Sequence, residues 1–369
     1  MESIREEWDD IHADGSKSSQ LLSYDSVRLW YDCFSKPDEV RIYKIRDRDR
    51  TIGFLPLVAQ RKGPFRVLSS LTNDQCFHSD PLVRRGYEGA FPELLLNGPF
   101  FHDRTWDAFV HRFSYSFSPF PGLFPDELLD SSGILRERAI QPTYSILFGK
   151  PFEKYFKEDI RTSERNSLKR HRRLLEQAGS HEFVHYQGAD TKTAWEDFLR
   201  IEDSGWKGEE GTSIKRTSPE MRRYYEGFLD ILAETESSHL YFLRLNGEAI
   251  AGAFGYVDKN IFHSLKIGYD ERFGSLSPSN LLNFHIIEYF MTDSPDLKML
   301  HMFPYDYGYK HRTANNSASC IDTIIYNSTL RGRSLLRLYA LKRFITRAVT
   351  SNRTFLRSRL FGAKTGRAS

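Results

Sequence analysis

The chain has 369 residues, 40% hydrophobic and 27% charged, with 28 Phe, 19 Tyr and 5 Trp. That is ordinary globular composition with length for about two domains. Three distant cysteines, Cys33, Cys76 and Cys320, exclude a disulfide framework and a C-x-x-C zinc site, and they suit a reducing cytosol. The acidic start, Met1 to Trp8, is not a signal peptide, and no apolar run approaches the ~20 residues of a membrane span. A net charge of +3 hides an asymmetry: Arg331 to Ser369 carries eleven Lys/Arg and no Asp/Glu, leaving −8 on the other 330 residues.

In chain order, Tyr24 to Phe34 has helical spacing. Val40 to Ile45 and Thr51 to Val58 alternate as two strands of a hairpin around the charged turn Arg46 to Arg50. Pro56 implies an edge strand or a bulge there. Phe65 to Leu71 reads as a third strand, Tyr115 to Phe124 as a loop and Gln141 to Phe148 as a short strand. The character changes at Pro151. Phe152 to Gln177 is a long basic helix-forming stretch holding Arg161, Arg165, Lys169, Arg170, Arg172 and Arg173. A strand over Phe183 to Tyr186 follows, then a helix over Thr193 to Ser204. A second helix runs from Met221 to Thr235, capped by Ser218 with Pro219 at its first position. His239 to Leu245 and Ala249 to Val257 are strands joined by Asn246-Gly247, a two-residue hairpin signal. Asn260 to Tyr269 is a strand and Asn280 to Phe290 a helix. Arg41-Ile-Tyr-Lys-Ile45 with Thr51 to Leu55 echoes Leu240-Tyr-Phe-Leu-Arg244 with Ala249 to Ala253, a weak repeat that predicts two similar α/β domains.

Three segments carry candidate chemistry. In the first, the strand ending at Tyr269 feeds a Gly- and Ser-containing loop, Asp270 to Pro278, and then a helix start. Free N–H groups and the helix dipole suit a phosphate or pyrophosphate there, and Arg272 adds a charged contact. The plain alternative is a helix capped by Ser277 or Ser279. The loop is not G-x-x-x-x-G-K-[ST], which argues against a P-loop nucleotidase. In the second, Ile201-Glu-Asp-Ser-Gly-Trp-Lys-Gly-Glu-Glu-Gly-Thr-Ser-Ile214 ends a helix in a glycine-rich loop around Trp206 and Lys207. It is either a shaped ligand loop or a surface loop anchored by its tryptophan. In the third, Tyr305 to His311 packs three Tyr with Asp306 and Lys310. Earlier in the chain, Asp74, His78 and Asp80 share one loop whose spacing is too loose for a metal site.

Taken in order, Ile201 to Ile214, the hairpin Leu243-Arg-Leu-Asn-Gly-Glu-Ala-Ile-Ala251, the run Lys266-Ile-Gly-Tyr-Asp-Glu-Arg-Phe to Leu282, and Asp306 with Lys310 resemble the CelD-like, cellulose-biosynthesis-type branch of the GNAT acyltransferase superfamily. That branch is similar to the FemABX peptidyltransferases, built from two tandem GNAT domains. The resemblance covers Phe152 to Ile325. The first half fits more loosely, through Trp30, Leu55-Pro-Leu57 and Asp74. Pro278-Ser279 departs from the Pro-Gly common in the family.

The resemblance implies an α/β (α+β) fold of two tandem GNAT-like domains, each a mixed, mostly antiparallel sheet flanked by helices. Residues 1–150 would be a degenerate acceptor-side domain, 151–330 the acyl-donor domain and 331–369 a basic amphipathic tail. It implies transfer of an acyl group, acetyl foremost, from acyl-CoA to an amine of a sugar or cell-envelope precursor. Such transfer needs a base, an N–H at the thioester oxygen and an acid for the thiolate. Asp203, Asp270 and Glu202 are base candidates, with Asp203 preferred for its place in the glycine-rich loop. The backbone near Lys266 to Gly268 is the N–H candidate and Tyr269 the acid. Arg272, Gly274, Ser275, Ser277, Ser279 and Asn280 would hold the donor's phosphates. Trp206, Lys207, Asp74, Asp306 and Lys310 would line the acceptor side, and no metal is expected.

FemX-like relatives use aminoacyl-tRNA donors, which makes a tRNA-dependent transferase the first alternative. A non-catalytic partner in a polysaccharide-synthesis complex is the second. The tail, with Leu338, Leu341, Ile345, Ala348 and Val349 on one helical face, suits an anionic membrane surface, nucleic acid or the acidic body itself. The expected location is cytoplasmic, peripheral to the inner membrane.

Overall fold

The computed structural model describes residues 1–14, 19–73, 76, 80–132, 134–304, 308 and 310–340, with Pro99 and Trp206 described by their backbone alone. Asp74, His78, Asp306 and the tail from 341 onward lie outside the described residues.

The first half runs α1 (Arg5–Asp14), α2 (Tyr24–Phe34), β1 (Val40–Asp47), β2 (Arg50–Lys62), β3 (Phe65–Ser70), β4 (Leu82–Val83), α3 (Phe91–Asn97), α4 (Pro99–His102), β5 (Ala108–Tyr115), α5 (Asp126–Ser131) and β6 (Leu135–Leu147). The second runs α6 (Phe152–Glu158), α7 (Thr162–Ala178), β7 (His181–Gln187), α8 (Trp195–Glu202), α9 (Trp206–Glu209), α10 (Ile214–Thr217), α11 (Pro219–Glu234), β8 (Ser238–Leu245), β9 (Glu248–Asp258), β10 (Ile261–Tyr269), α12 (Pro278–Asp293), β11 (Met299–Pro304), α13 (Lys310–Thr313) and β12 (Asn316–Tyr326). A last helix, α14, covers 330–340.

Both halves follow one plan. An antiparallel meander, β1-β2-β3 or β8-β9-β10, is followed by a helical crossover to a parallel strand, β5 beside β3 or β11 beside β10. Each half then gives its last strand to the other. β6 lies antiparallel to β11, β12 lies antiparallel to β5, and β6 and β12 pair along the whole of β12. The expected two domains therefore share one sheet, in the order β1-β2-β3-β5-β12-β6-β11-β10-β9-β8-β7, with β4 beside β2.

Alternation along the strands separates two helical layers. Leu240 and Phe242 of β8 face a core shared by both halves, where Trp8, Trp30 and Phe54 meet Trp195, Phe198, Phe228 and Phe254 beneath α1, α2, α8 and α11. Tyr241 and Leu243 face the opposite way, onto the layer of α6, α7 and α12. The first half has its own second layer, Phe91, Leu95 and Phe100 over Leu55 and Leu57.

Local rules explain the details. Asn246 and Gly247 both take positive φ, 52° and 83°, as a tight hairpin requires. Ser218 accepts from the Met221 N–H and caps α11. Pro56 departs from expectation: β2 is an interior strand with β1 on one side. On its other side β4 pairs only Gly53 and Phe54, and β3 begins at Leu57. The residue lacking an N–H thus sits at a break in the pairing. The long basic helix is two helices, α6 and α7, separated at Asp159–Arg161.

His185 and His239 stack under α12, Nε2 to Nδ1 at 2.9 Å. Burial pushes their pKa values down, to about 4 and about 3. Unfolded imidazoles titrate near pH ~6.5, so below that pH the unfolded chain binds more protons than the folded one. The stability contributed by the neutral pair is then full above pH ~6.5 and declines as the pH falls towards 4. Thermal melts across this window should show that decline, and His185→Phe should flatten it.

Candidate active site

β10 keeps β9 as a neighbour along its length, with one register break between Ser264 and Lys266. Its pairing with β11 covers only Ile261 to His263. Beyond that point the two strands diverge, and β11 shows its own irregularity, Phe303 at φ 54°. A gap opens in the sheet towards the C-terminal ends of two parallel strands, the place where open α/β sheets bind ligands. At its mouth the chain makes a 3-10 turn over Glu271–Leu276 and enters the sixteen-residue α12.

The α8 side of the gap holds a buried charge cluster. α8 puts Trp195, Phe198, Leu199 and Ile201 into the shared core, and Glu202 lies on the same stripe. Glu202 is 1% exposed. Its Oε2 accepts from the Ile214 N–H at 2.8 Å. Its Oε1 has no hydrogen bond and stands 3.5 Å from the Lys207 ammonium and 3.8 Å from that of Lys266. Lys207 also donates to the Ile267 carbonyl at 2.7 Å. The Lys266 ammonium lies 5.5 Å from the Tyr225 ring centroid. Gly268 allows α8 to come this close: a Cβ there would stand 3.0 Å from the Glu202 Cα. Burial pushes the Lys266 pKa down to about 8, with Glu202 opposing the shift. Burial lowers Lys207 as well. A step that needs Lys266 as a cation should therefore fade as the pH rises through about 8. Lys266→Arg should move that alkaline limb to higher pH in a rate–pH profile.

The other predicted residues fall into separate groups. Asp203 is next in sequence to Glu202 but turned away. Its Oδ1 accepts from Ser213 at 2.6 Å and from Arg216 at 2.8 Å. Burial raises its pKa, and these two partners outweigh that and bring it below the usual carboxylate value. Asp270 is 5% exposed. Arg272 bonds it, holding its carboxyl low, and also reaches Glu248 of the hairpin. Arg200 of α8 approaches Asp270 to 3.9 Å. Glu271 lies against Gly205, whose φ of 93° leaves no room for a side chain there. The three sequence motifs of 201–214, 243–251 and 266–282 thus converge on one corner.

Tyr269 follows Gly268 and so faces the opposite layer, on the α12 side with the donor loop. Gly274 and Ser275 are exposed, and Ser277, Ser279 and Asn280 are half-buried around the start of α12. Ser277 is left-handed at φ 50°, and its carbonyl, not its hydroxyl, accepts from the Asn280 and Leu281 N–H groups. Lys310, 3% exposed, donates to the Phe303 and Pro304 carbonyls at 2.9 Å. Trp206 begins α9. No group of three or more metal-ligating side chains occurs among the described residues.

Sequence reasoning underweighted Glu202 and missed Tyr225 and Ser213. Glu202 left a readable signal, an acid four residues after Phe198 and seven after Trp195, on the apolar stripe of α8.

Residues 162–311 match the family model described as the acetyltransferase (GNAT) domain. That stretch, 150 of the 369 residues, is similar to a GNAT domain. No curated protein matches it in sequence. Among solved structures, FemX superposes with a TM-score of 0.60 at 11% identity, covering 90% of this chain and 98% of FemX. A protein of unknown function from Bacteroides thetaiotaomicron gives 0.54 at 11% identity, over 88% of this chain and 97% of that one. L-PGS from Bacillus licheniformis gives 0.50 at 11% identity, over 94% and 96%. At such identities the likeness is one of fold, and it extends across both halves of the chain.

Proposed function

We propose that the protein is an N-acyltransferase of the CelD-like kind, moving an acyl group, acetyl foremost, from acyl-CoA to an amine of a sugar or cell-envelope precursor. The observation that carries this reading is the gap between β10 and β11, which joins the α12 loop on one face to the Glu202–Lys207–Lys266 cluster on the other. The donor's phosphates would lie at the start of α12, where helix N–H groups and the dipole favour anions. The thioester would lie in the gap, its oxygen facing a backbone N–H that β11 no longer pairs. The acceptor would enter from the α8 side, beside the first half, so residues 1–150 serve the acceptor and 151–330 the donor.

Glu202 takes the amine proton as the C–N bond forms, with the Lys207 and Lys266 ammonium groups 3.5 and 3.8 Å from its Oε1. The C–S bond breaks and the thiolate receives a proton from the Tyr269 phenol. Acetyl-CoA supplied with amino sugars, free or nucleotide-linked, should release CoA thiol, read with a thiol reagent. Tyr269→Phe should slow release by roughly a hundredfold with the melting temperature kept. Absence of release across the amine panel would contradict the reading, and an unchanged rate in Tyr269→Phe would remove the phenol from it.

A second reading, an aminoacyl-tRNA donor, has one observation in its favour. α7 carries a basic ridge, and Lys169, Arg170 and Arg173 border a surface groove of about 360 Å³. A polyanion longer than CoA fits such a ridge better.

A further inference from the structure

A groove of about 620 Å³ lies between the helices of the first half and α14, within the roughly 300–1,000 Å³ of small-molecule sites. It lies at the end of β12 and the start of β6, where Tyr326 pairs with Leu135, eight residues along β6 from Thr143, which pairs with Pro304 at the gap beside β10. Its floor is apolar, with Phe101, Trp106, Ile134 and Leu336. Its rim holds three basic side chains, His102, Arg333 and Arg337, and none of its lining residues is acidic.

α14 is held firmly beside it. Leu335 packs on Ala108 and Tyr326, Arg331 pairs with the buried Asp107 at 3.8 Å, and Gly332 presses against the Asn327 and Asp107 carbonyls, where a Cβ would collide. α14 nevertheless exposes large apolar groups, Leu330 at 84%, Leu338 at 52% and Tyr339 at 39%, with Leu135 of β6 at 41%. Leu338, expected on the apolar face of a basic amphipathic helix, is half exposed.

The occupant follows from charge. Residues 341–369 add eight Lys/Arg and no acid. That segment has the same sign of charge as the rim and so does not neutralise it. A nucleic acid would satisfy the cations but not the exposed leucines or an apolar floor. An anionic lipid surface satisfies both, because aliphatic and aromatic groups enter the headgroup boundary while arginines meet phosphates. We propose that the α14 groove and its exposed leucines dock the protein on an anionic phospholipid bilayer, with a lipid phosphate at Arg333 and Arg337 and its chain over Phe101 and Ile134.

The test is co-sedimentation of the full chain with vesicles of phosphatidylcholine alone or with 30% phosphatidylglycerol. Binding should require phosphatidylglycerol and weaken as salt rises. R333E/R337E should weaken it by roughly thirtyfold or more, and L338S should weaken it too. R357E/R359E, an equal charge reversal in the last stretch of the sequence, should cost only a fewfold. Arg333, Arg337 and Leu338 are exposed, so melting curves should confirm an intact fold. Equal binding to both vesicles would overturn the proposal. Equal loss from the two arginine pairs would overturn the groove as the docking site. Absence of vesicle binding, with bulk tRNA bound through Arg333 and Arg337, would give the surface to nucleic acid. None of these readouts depends on acyl transfer.

Discussion

Glu202→Gln should lower acyl transfer by roughly a hundredfold or more while leaving the protein folded. Glutamine keeps the shape and still accepts the Ile214 N–H that Glu202 Oε2 accepts now. What disappears is the negative charge 3.5 Å from Lys207 and 3.8 Å from Lys266. Without it no group at that point takes the amine proton, and the two ammonium groups lose their shared counter-ion, so Lys266 should shed its proton at lower pH than in the parent. Asp203→Asn is the informative companion. Its carboxylate is held by Arg216 and Ser213, so the loss should be at most about tenfold and should appear with a small drop in melting temperature. The comparison is made in parallel rate and melting measurements. An Asp203→Asn enzyme as slow as Glu202→Gln would move the base one residue along the chain.

Phe198→Ala should lower stability by about 3–5 kcal/mol, on the order of 4–6 °C in melting temperature. Phe198 is fully buried, stacked on Trp195 at 5.3 Å and tilted against Phe254 at 6.0 Å. Gly252 of β9 makes room for it, since a Cβ there would stand 3.1 Å from the ring. The ring therefore fixes where α8 rests on the sheet, and α8 ends in Glu202. Turnover of the fraction that remains folded should fall as well, because the carboxylate moves with the helix. Urea or thermal unfolding gives the first effect, and turnover well below the melting transition gives the second.

Elements with a strong local rule were legible in the sequence. α2 was expected at Tyr24 to Phe34 and is found there. The Asn246-Gly247 hairpin and the Ser218 cap follow from two or three residues each, and they hold. Strands β5, β11 and β12 were not foreseen, although they build the seam. β12 begins Asn316-Ser-Ala-Ser, and its meaning comes from two partners far away in sequence, β5 and β6. No window of local alternation carries that pairing, and neither does the exchange of last strands that turns two repeats into one sheet.

The candidate site was partly legible for the same reason. The motifs identified which loops meet, since Gly205 against Glu271 and Arg272 against Glu248 lie between motifs. The choice among neighbouring acids depended on which face of α8 each one takes. Asp203, in the glycine-rich loop, is the natural choice from sequence, and burial favours Glu202, one residue earlier. Likewise, Lys310 was expected to line the acceptor side, and in the fold its ammonium lies on the Phe303 and Pro304 carbonyls.

A ligand-dependent melting series shows whether the gap and the start of α12 receive a CoA thioester. Acetyl-CoA or CoA at roughly a hundred times its dissociation constant should stabilise the protein by about 2.7 kcal/mol, seen as a saturable rise in melting temperature. Ser279→Glu, which places a negative charge where the phosphates would lie, should abolish the rise. Indifference to both CoA species, together with tight and salt-sensitive binding of aminoacyl-tRNA, would contradict the account.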